Sequence, residues 1–412
     1  MHFITHLSVL PLVFLVTAVT AIPISQPHST DVPVSSTKSS QKGSTDNLQP
    51  VGLMFPFQLK GGVPVITLKV GNPPQEVEVI LDTGSFDIML PGAPATSPLF
   101  PSVSPYHVAN SATWAAMNRT ETISYASAEG CKMDLGSEVI DFGNGIKLQG
   151  TVGVDTSGTC SQLAFGVLGL GKKSWILRII EQHSAKLGLE TIMSFSFQQS
   201  AGNPKDNWFS LGGYAGLDPE SIIWIADATH SGDPLFSWGY SWGFQVPLPF
   251  LTSDGKRWEL GKGHTAIVDT GSNVCVFPAD FVHKLYSKTF GSRYGVSFRS
   301  QVDGEEIRPL VNLTGLNEAE YPSMTLRVGD GDWQMNMVYS NLDIAERVGL
   351  TSNSLGVPAF LSEEDVTQNS MGYIPLPSIL GWSFFSGLKG LVFDFTSGRS
   401  RIGFVPRSAV MG

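Results

Sequence analysis

The sequence predicts a mostly-β protein of two lobes related by an internal pseudo-twofold. Three observations carry that expectation. A chain of 412 residues is longer than one hydrophobic core usually serves. Its 44 glycines and 26 prolines favour many turns and short strands over long helices. Finally, Leu81-Asp-Thr-Gly-Ser85 in the first half recurs as Val268-Asp-Thr-Gly-Ser272 in the second. Composition also removes several classes of function. A hydrophobic fraction of 42% is too high for a disordered chain. A net charge of −10 leaves no basic surplus for a phosphate backbone, which argues against nucleic acid as a partner. Three cysteines are too few for a disulfide-stapled miniprotein or a cysteine-rich zinc module.

Taken in chain order, Met1 to Ala21 reads as a secretory signal. The apolar run from Leu7 to Val19 ends in Val19-Thr20-Ala21, with small residues where a signal peptidase cuts. The run is shorter than the ~20 residues of a membrane span and Pro11 interrupts it, so a secreted, extracellular chain is expected. No later segment is comparably apolar, and no hydrophobic tail for a lipid anchor stands at Met411-Gly412. Residues 22–52, rich in Ser, Thr and Pro, form a leader or short pro-segment. Order is expected from Leu53, with an N-terminal lobe over 53–216 and a C-terminal lobe over 217–412.

Val65 to Val70 is a strand, stopped by the turn Gly71-Asn-Pro-Pro74. Glu76-Val-Glu-Val-Ile-Leu81 alternates charge with apolar residues, the pattern of a half-buried strand. Further strands are expected at Ile192 to Gln198, Ser323 to Val328, Leu391 to Phe395 and Ile402 to Val405. Helices are few: Trp175 to His183 and Ala279 to Phe290. In oxidising surroundings a Cys131–Cys160 disulfide is plausible, contributing roughly 3–4 kcal/mol by restricting the unfolded chain. Cys275, in Val274-Cys-Val-Phe277, reads as a buried free thiol. Asn118-Arg-Thr120 and Asn312-Leu-Thr314 are glycosylation sequons, expected on surface loops.

The repeated tetrapeptide carries the chemistry. A chance Asp-Thr-Gly-Ser occurs on the order of 1% of the time in a chain this long, and one copy alone is more often a turn than a catalyst. Two copies, each behind an apolar approach, are another matter. Each is also echoed downstream, by Val167-Leu-Gly-Leu-Gly171 and by Ile379-Leu-Gly381. Glycine allows a tight loop where a Cβ would obstruct it, which is the role expected of Gly84 and Gly271. The Thr and Ser hydroxyls can orient a carboxylate or bond the facing loop, which assigns Ser85 and Ser272 to positioning. A pseudo-twofold would bring Asp82 and Asp269 face to face. Two carboxylates at hydrogen-bond distance cannot both ionise, so they share a proton. One then serves as base toward water and the other as acid toward a carbonyl oxygen. Neither a metal nor another cofactor is needed.

On these motifs the chain resembles the pepsin-like aspartic proteases from about Leu53 to Pro406. Val70-Gly-Asn-Pro-Pro-Gln75 followed by Leu81 to Ser85 is similar to that family's first active-site loop, and Ala266 to Ser272 to its second. Val167-Leu-Gly169, Ile379-Leu-Gly381 and the run to Gly403-Phe-Val-Pro406 match its remaining signatures. The resemblance implies a bilobal pepsin-like acid protease fold with the active-site cleft between the two lobes. It also implies a monomeric endopeptidase acting on extended peptide or protein substrates, without nucleic acid or a membrane anchor. Asp82 and Asp269 would be catalytic, and Tyr125 would lie on a hairpin that closes over substrate. Ile80, Val167 and Trp242 fall where the family lines subsites, although each also reads as core. Departures are Met89 in place of a tryptophan, Ala126 in place of a glycine, Phe86 beside Ser85, and Trp382 after Gly381 where an aspartate is frequent.

Rival chemistries fail on their motifs. Gly166 to Lys173 lacks the Ser or Thr of a phosphate loop. Gly381-Trp-Ser-Phe-Phe385 lacks the last glycine of a serine-hydrolase elbow, and the eight histidines show no zinc spacing. The one alternative from another class is a catalytically weak or inactive relative that binds peptides or proteins.

Overall fold

Alternation in the sequence becomes alternation in space. In the strand Gln75–Asp82, Val77 and Val79 are buried while Glu76 is exposed. That strand forms a hairpin with Val63–Val70, Val65 facing Ile80 and Val70 facing Gln75. Gly71 closes the hairpin at φ +85°, and a Cβ there would stand 2.7 Å from Ser111 Oγ. These relationships come from a computed structural model. It describes residues 52–60, 62–92, 104–125, 128–156, 165–197, 207–227, 242–245, 249–252, 255–259, 265–272, 275–299, 306–317, 321–328, 331–339, 355–358, 360–362, 378–385 and 388–407. The expected signal and the leader up to residue 51, together with Cys160 and Ala126, lie outside the described residues.

The duplication read from the motif is present in the sheets. In the first half the strands Val63–Val70, Gln75–Asp82, Gly166–Gly169, Ile88–Pro91 and Lys147–Asp155 lie side by side in that order. Their successive pairings are antiparallel, parallel, antiparallel and parallel. In the second half Trp242–Gln245, Thr265–Val268, Ser378–Leu380, Cys275–Phe277 and Phe360–Ser362 repeat the same order with the same four senses. The first sheet continues past Lys147–Asp155 into the long hairpin of Ala128–Asp141 and Ala115–Tyr125.

A third, six-stranded antiparallel sheet joins the halves. Its order is Leu53–Pro56, Trp208–Leu211, Ile192–Ser196, Leu388–Asp394, Arg401–Pro406 and Ile223–Ala226. The two copies meet at its centre, where Ile192–Ser196 runs antiparallel to Leu388–Asp394. Beneath the join, Phe195 packs on Phe209 with ring centroids 5.1 Å apart, and Trp242 lies 5.1 Å from Phe393. Aromatic burial of this kind dominates core energetics.

The expected elements form, with shifted ends. Ala279–Phe290 and Ser323–Val328 have the predicted bounds, whereas the first helix runs beyond His183 to Leu187. Its buried face (Ile176, Leu177, Ile179, Ile180) stops earlier, but the backbone continues to Gly188, which caps it at φ +68°. Cys275 is free and buried, as expected. The sequons are not on loops. Asn118 is exposed but sits in the strand Ala115–Tyr125, at φ 51° within a register shift, and Asn312 ends the strand Glu306–Asn312 half-buried. A bulge supplies the exposure that a loop was expected to supply. Among the described residues no helix is long and apolar enough to cross a membrane, and no cluster of three or more metal-ligating side chains occurs.

Candidate active site

Each Asp-Thr-Gly-Ser turn is delivered by a buried strand lying parallel to its downstream echo. Leu81 faces Leu168 and Asp82 faces Gly169, while in the other copy Val268 faces Leu380. Backbone bonds fix the exits: Leu170 N donates to Asp82 O at 2.6 Å, and Asp269 N donates to Leu380 O at 3.0 Å. Within each turn the glycine amide binds the aspartate two residues earlier. Gly84 N donates to Asp82 Oδ1 and Gly271 N to Asp269 Oδ1, both at 2.8 Å. Ser85 Oγ donates to Asp82 Oδ2 at 2.5 Å. Ser272 is buried, and its carbonyl accepts from Trp382 N at 2.9 Å.

The two turns grip one another. Thr83 Oγ1 donates to Val268 O at 2.7 Å and accepts from Thr270 N at 2.9 Å. Reciprocally, Thr270 Oγ1 donates to Leu81 O at 2.7 Å and accepts from Thr83 N at 3.1 Å. Four hydrogen bonds thus tie the copies at the two turns, with Asp82, Thr83, Asp269 and Thr270 all fully buried. Gly84 shows how close the carboxylates lie. Its amide holds Asp82, while a Cβ at Gly84 would stand 2.6 Å from Asp269 Cγ and 2.7 Å from its Oδ2. Both acids therefore rest against one glycine, and only a residue without a side chain fits between them.

Other expected residues are placed as follows. Tyr125 ends its strand opposite Ala128, at the closed end of the long hairpin, and its side chain lies outside what is described. Ile80, Val167 and Trp242 are completely buried. Trp242 donates its indole N–H to Leu170 O at 3.0 Å, so core packing accounts for it. Met89 is buried opposite Gly153 and Val167.

Three sets of contacts cannot be read from the sequence. Trp382 donates Nε1 to Thr270 O at 2.7 Å, bracing the second turn, and packs edge-on against Phe197 at 5.0 Å. Lys172 reaches Asp227 at 2.5 Å, where Ser400 Oγ also donates at 2.9 Å. Burial pulls the Lys172 ammonium down from its usual range, against the opposing pull of Asp227. Asp87, just past the first turn, has its carboxyl pushed up to about 7, chiefly by burial and secondarily by the charge of Glu121.

The model of the eukaryotic aspartyl proteases matches residues 65–322, a stretch that contains both turns. The chain belongs to the eukaryotic aspartyl protease family. Within it, similar proteins include cathepsin E of Mus musculus, 26% identical over 277 residues that cover 62% of this chain and 64% of that one. Embryonic pepsinogen of Gallus gallus is 23% identical over 232 residues, covering 54% of this chain and 56% of its own. Pepsin A of Canis lupus familiaris is 24% identical over 234 residues, with the same two coverages. The chain thus spans less than two thirds of the length of each of these relatives.

Proposed function

We propose that this aspartyl protease family member is a secreted endopeptidase that cleaves extended peptides at acidic pH, using a water held between Asp82 and Asp269. The observation that carries the reading is the placement of both carboxylates against Gly84, tied by the Thr83–Thr270 grip. In the reaction the ionised member of the pair takes a proton from water as its oxygen attacks the peptide carbonyl carbon. The protonated member donates its proton to the carbonyl oxygen, giving a neutral tetrahedral diol. The C–N bond then breaks as the nitrogen receives the proton first taken from water, and a diol proton returns to the pair. Gly84 and Gly271 donate to the carboxylates through their amides. Ser85 and Ser272 keep the carboxylates oriented, and Tyr125 covers the substrate from the hairpin. Two lobes divided near residue 217, a Cys131–Cys160 disulfide and a monomeric state complete the proposal. The net charge of −10 suits an acidic working range, where self-repulsion is relieved and one proton stays on the pair.

The test is cleavage of a denatured protein substrate at several acidic pH values, with Asp269→Asn and a statine-type transition-state mimic as controls. Cleavage abolished by both supports the mechanism. A second reading rests on Met89, which has no strong donor for a tyrosine hydroxyl: a peptide binder that cleaves weakly. Tight binding of the mimic without cleavage at any pH would favour it.

A further inference from the structure

Asp227 gathers contacts from three parts of the fold. It follows the strand Ile223–Ala226 at the edge of the six-stranded sheet, and its side chain is completely buried. From the first copy, Lys172 Nζ donates to its Oδ2 at 2.5 Å. From the turn before Arg401–Pro406, Ser400 Oγ donates to the same oxygen at 2.9 Å, and the Asp227 amide donates to Ser400 O at 3.3 Å. From the second copy, Gly243 N donates to Oδ1 at 3.4 Å.

These contacts lead to both aspartate turns. Leu170 N donates to Asp82 O and Gly171 N to Ser85 O, both at 2.6 Å, so the two residues ahead of Lys172 carry the first turn directly. On the other side Gly243 follows Trp242, which faces Val268, the residue before Asp269. Trp242 closes the circuit. Its indole N–H donates to Leu170 O at 3.0 Å, and its ring centroid lies 5.8 Å from Lys172 Nζ. A path of bonded or adjacent residues thus joins Asp82 to Asp269 through Lys172 and Asp227, separate from the Thr83–Thr270 grip.

Charge takes the place on this path that packing has in the other copy. Past Gly381 the second copy enters the helix Trp382–Phe385, all four residues of which are buried. Past Gly169 the first copy runs through Gly171, Lys172 and Lys173, with little side chain to bury before Ser174. A buried ammonium–carboxylate pair is a weak source of net stability, because desolvation offsets much of its attraction, but it favours one register. A shift of either copy would draw the two charges apart in a water-poor space.

We propose that Lys172 and Asp227 form an ionic latch that sets the first turn against the second and so places Asp82 opposite Asp269. Both are positioning residues, acting through Leu170, Gly171 and Gly243, and neither is catalytic. The inference deepens the proteolytic reading given above and rests on it for the chemistry of the two aspartates alone.

The experiment compares the wild type with Lys172→Met, Lys172→Arg and the double variant Lys172→Met with Asp227→Asn. Leu285→Ala, which removes buried volume from the helix Ala279–Phe290, serves as a control for lost stability. The readouts are melting temperature, hydrogen exchange of the Leu170 and Gly171 amides, and kcat and KM on a peptide substrate. In Lys172→Met and in the double variant those two amides should exchange at least about tenfold faster, while the amides of Ile192–Ser196 keep their rates. In both, kcat should fall about tenfold to a hundredfold with KM unchanged, because reacting groups are misplaced and substrate contacts are kept. The double variant should regain part of the melting temperature lost by Lys172→Met and regain neither of the other readouts. Lys172→Arg keeps the charge and should lie closer to the wild type than Lys172→Met in both. Leu285→Ala should melt earlier and leave both unchanged.

Exchange and kcat that return with stability in the double variant, or that change equally in Leu285→Ala, would overturn the latch. If Lys172→Met does not fold, the double variant, which buries no uncompensated charge, decides the matter by the same readouts. Exchange needs no turnover, so a chain that shows the local pattern but cleaves nothing would sink the proteolytic reading and leave the latch standing.

Discussion

The grip between the two turns can be cut one hydroxyl at a time. Thr270→Val keeps the volume of the side chain and removes only its oxygen. Leu81 O then loses the donor it has at 2.7 Å, and Thr83 N loses the acceptor it has at 3.1 Å. Both groups are buried where water does not reach, and each orphan costs about 1–3 kcal/mol, so the substitution should destabilise by roughly 2–6 kcal/mol. Thr83→Val removes the mirror pair, to Val268 O at 2.7 Å and from Thr270 N at 2.9 Å. The near equality of the two sets predicts costs within about 1 kcal/mol of one another. Thr270→Ser retains the oxygen and loses one buried methyl, costing only about 1 kcal/mol. Urea unfolding of the four proteins, followed by fluorescence and circular dichroism, gives these differences directly. On the proposed mechanism both valine variants should also lose about a hundredfold in kcat, the effect of misplacing reacting groups by an ångström. A valine variant as stable as Thr270→Ser would refute the argument that the grip holds the halves in register.

Other expectations follow from single contacts. Gly84→Ala puts a methyl 2.6 Å from Asp269 Cγ and should cut kcat at least a hundredfold while the circular dichroism spectrum is retained. Lys172→Met takes the ammonium from Asp227, whose side chain is completely buried, and should cost about 3–5 kcal/mol in denaturant unfolding. Lys172→Met with Asp227→Asn should cost less than Lys172→Met alone, because no uncompensated charge remains. Burial pushes the Cys275 thiol up to about 11, so at pH 8 a disulfide reagent should modify it only after unfolding. Produced in a eukaryotic secretory host, the chain should carry glycan on exposed Asn118. Asn118→Gln should remove a glycosidase-sensitive mass that Asn312→Gln leaves, since Asn312 Oδ1 is already engaged by Thr314 N at 2.9 Å.

What could be read from the sequence is what repeats or alternates. Duplication exposed Asp82 and Asp269, and the same duplication organises two five-strand assemblies with identical order and senses. Alternating burial located Gln75–Asp82 to within a residue at each end. The first helix extends past the expected end at His183, because its stop signal is the left-handed Gly188. The features that escaped have no local signature. Lys172 and Asp227 are 55 positions apart, and Trp382 and the Thr270 carbonyl 112, so only folding makes them neighbours. Trp382 stood out as a departure from the family pattern, but which carbonyl its indole would reach could not be read from spacing.

The duplicated site is symmetric in its grip and closely matched in its supports. At the first turn Leu170 N donates to Asp82 O and Gly171 N to Ser85 O; at the second Asp269 N donates to Leu380 O and Trp382 N to Ser272 O. Each side also rests on one indole. Trp242 Nε1 donates to Leu170 O from the other copy, and Trp382 Nε1 donates to Thr270 O inside a cage of Phe57, Phe197 and Phe385. A backbone brace survives most substitutions, whereas an indole brace depends on one residue. Apart from Lys172, each half therefore depends on a single tryptophan for the part of its support that substitution can remove, and the two meet where Asp269 lies against Gly84.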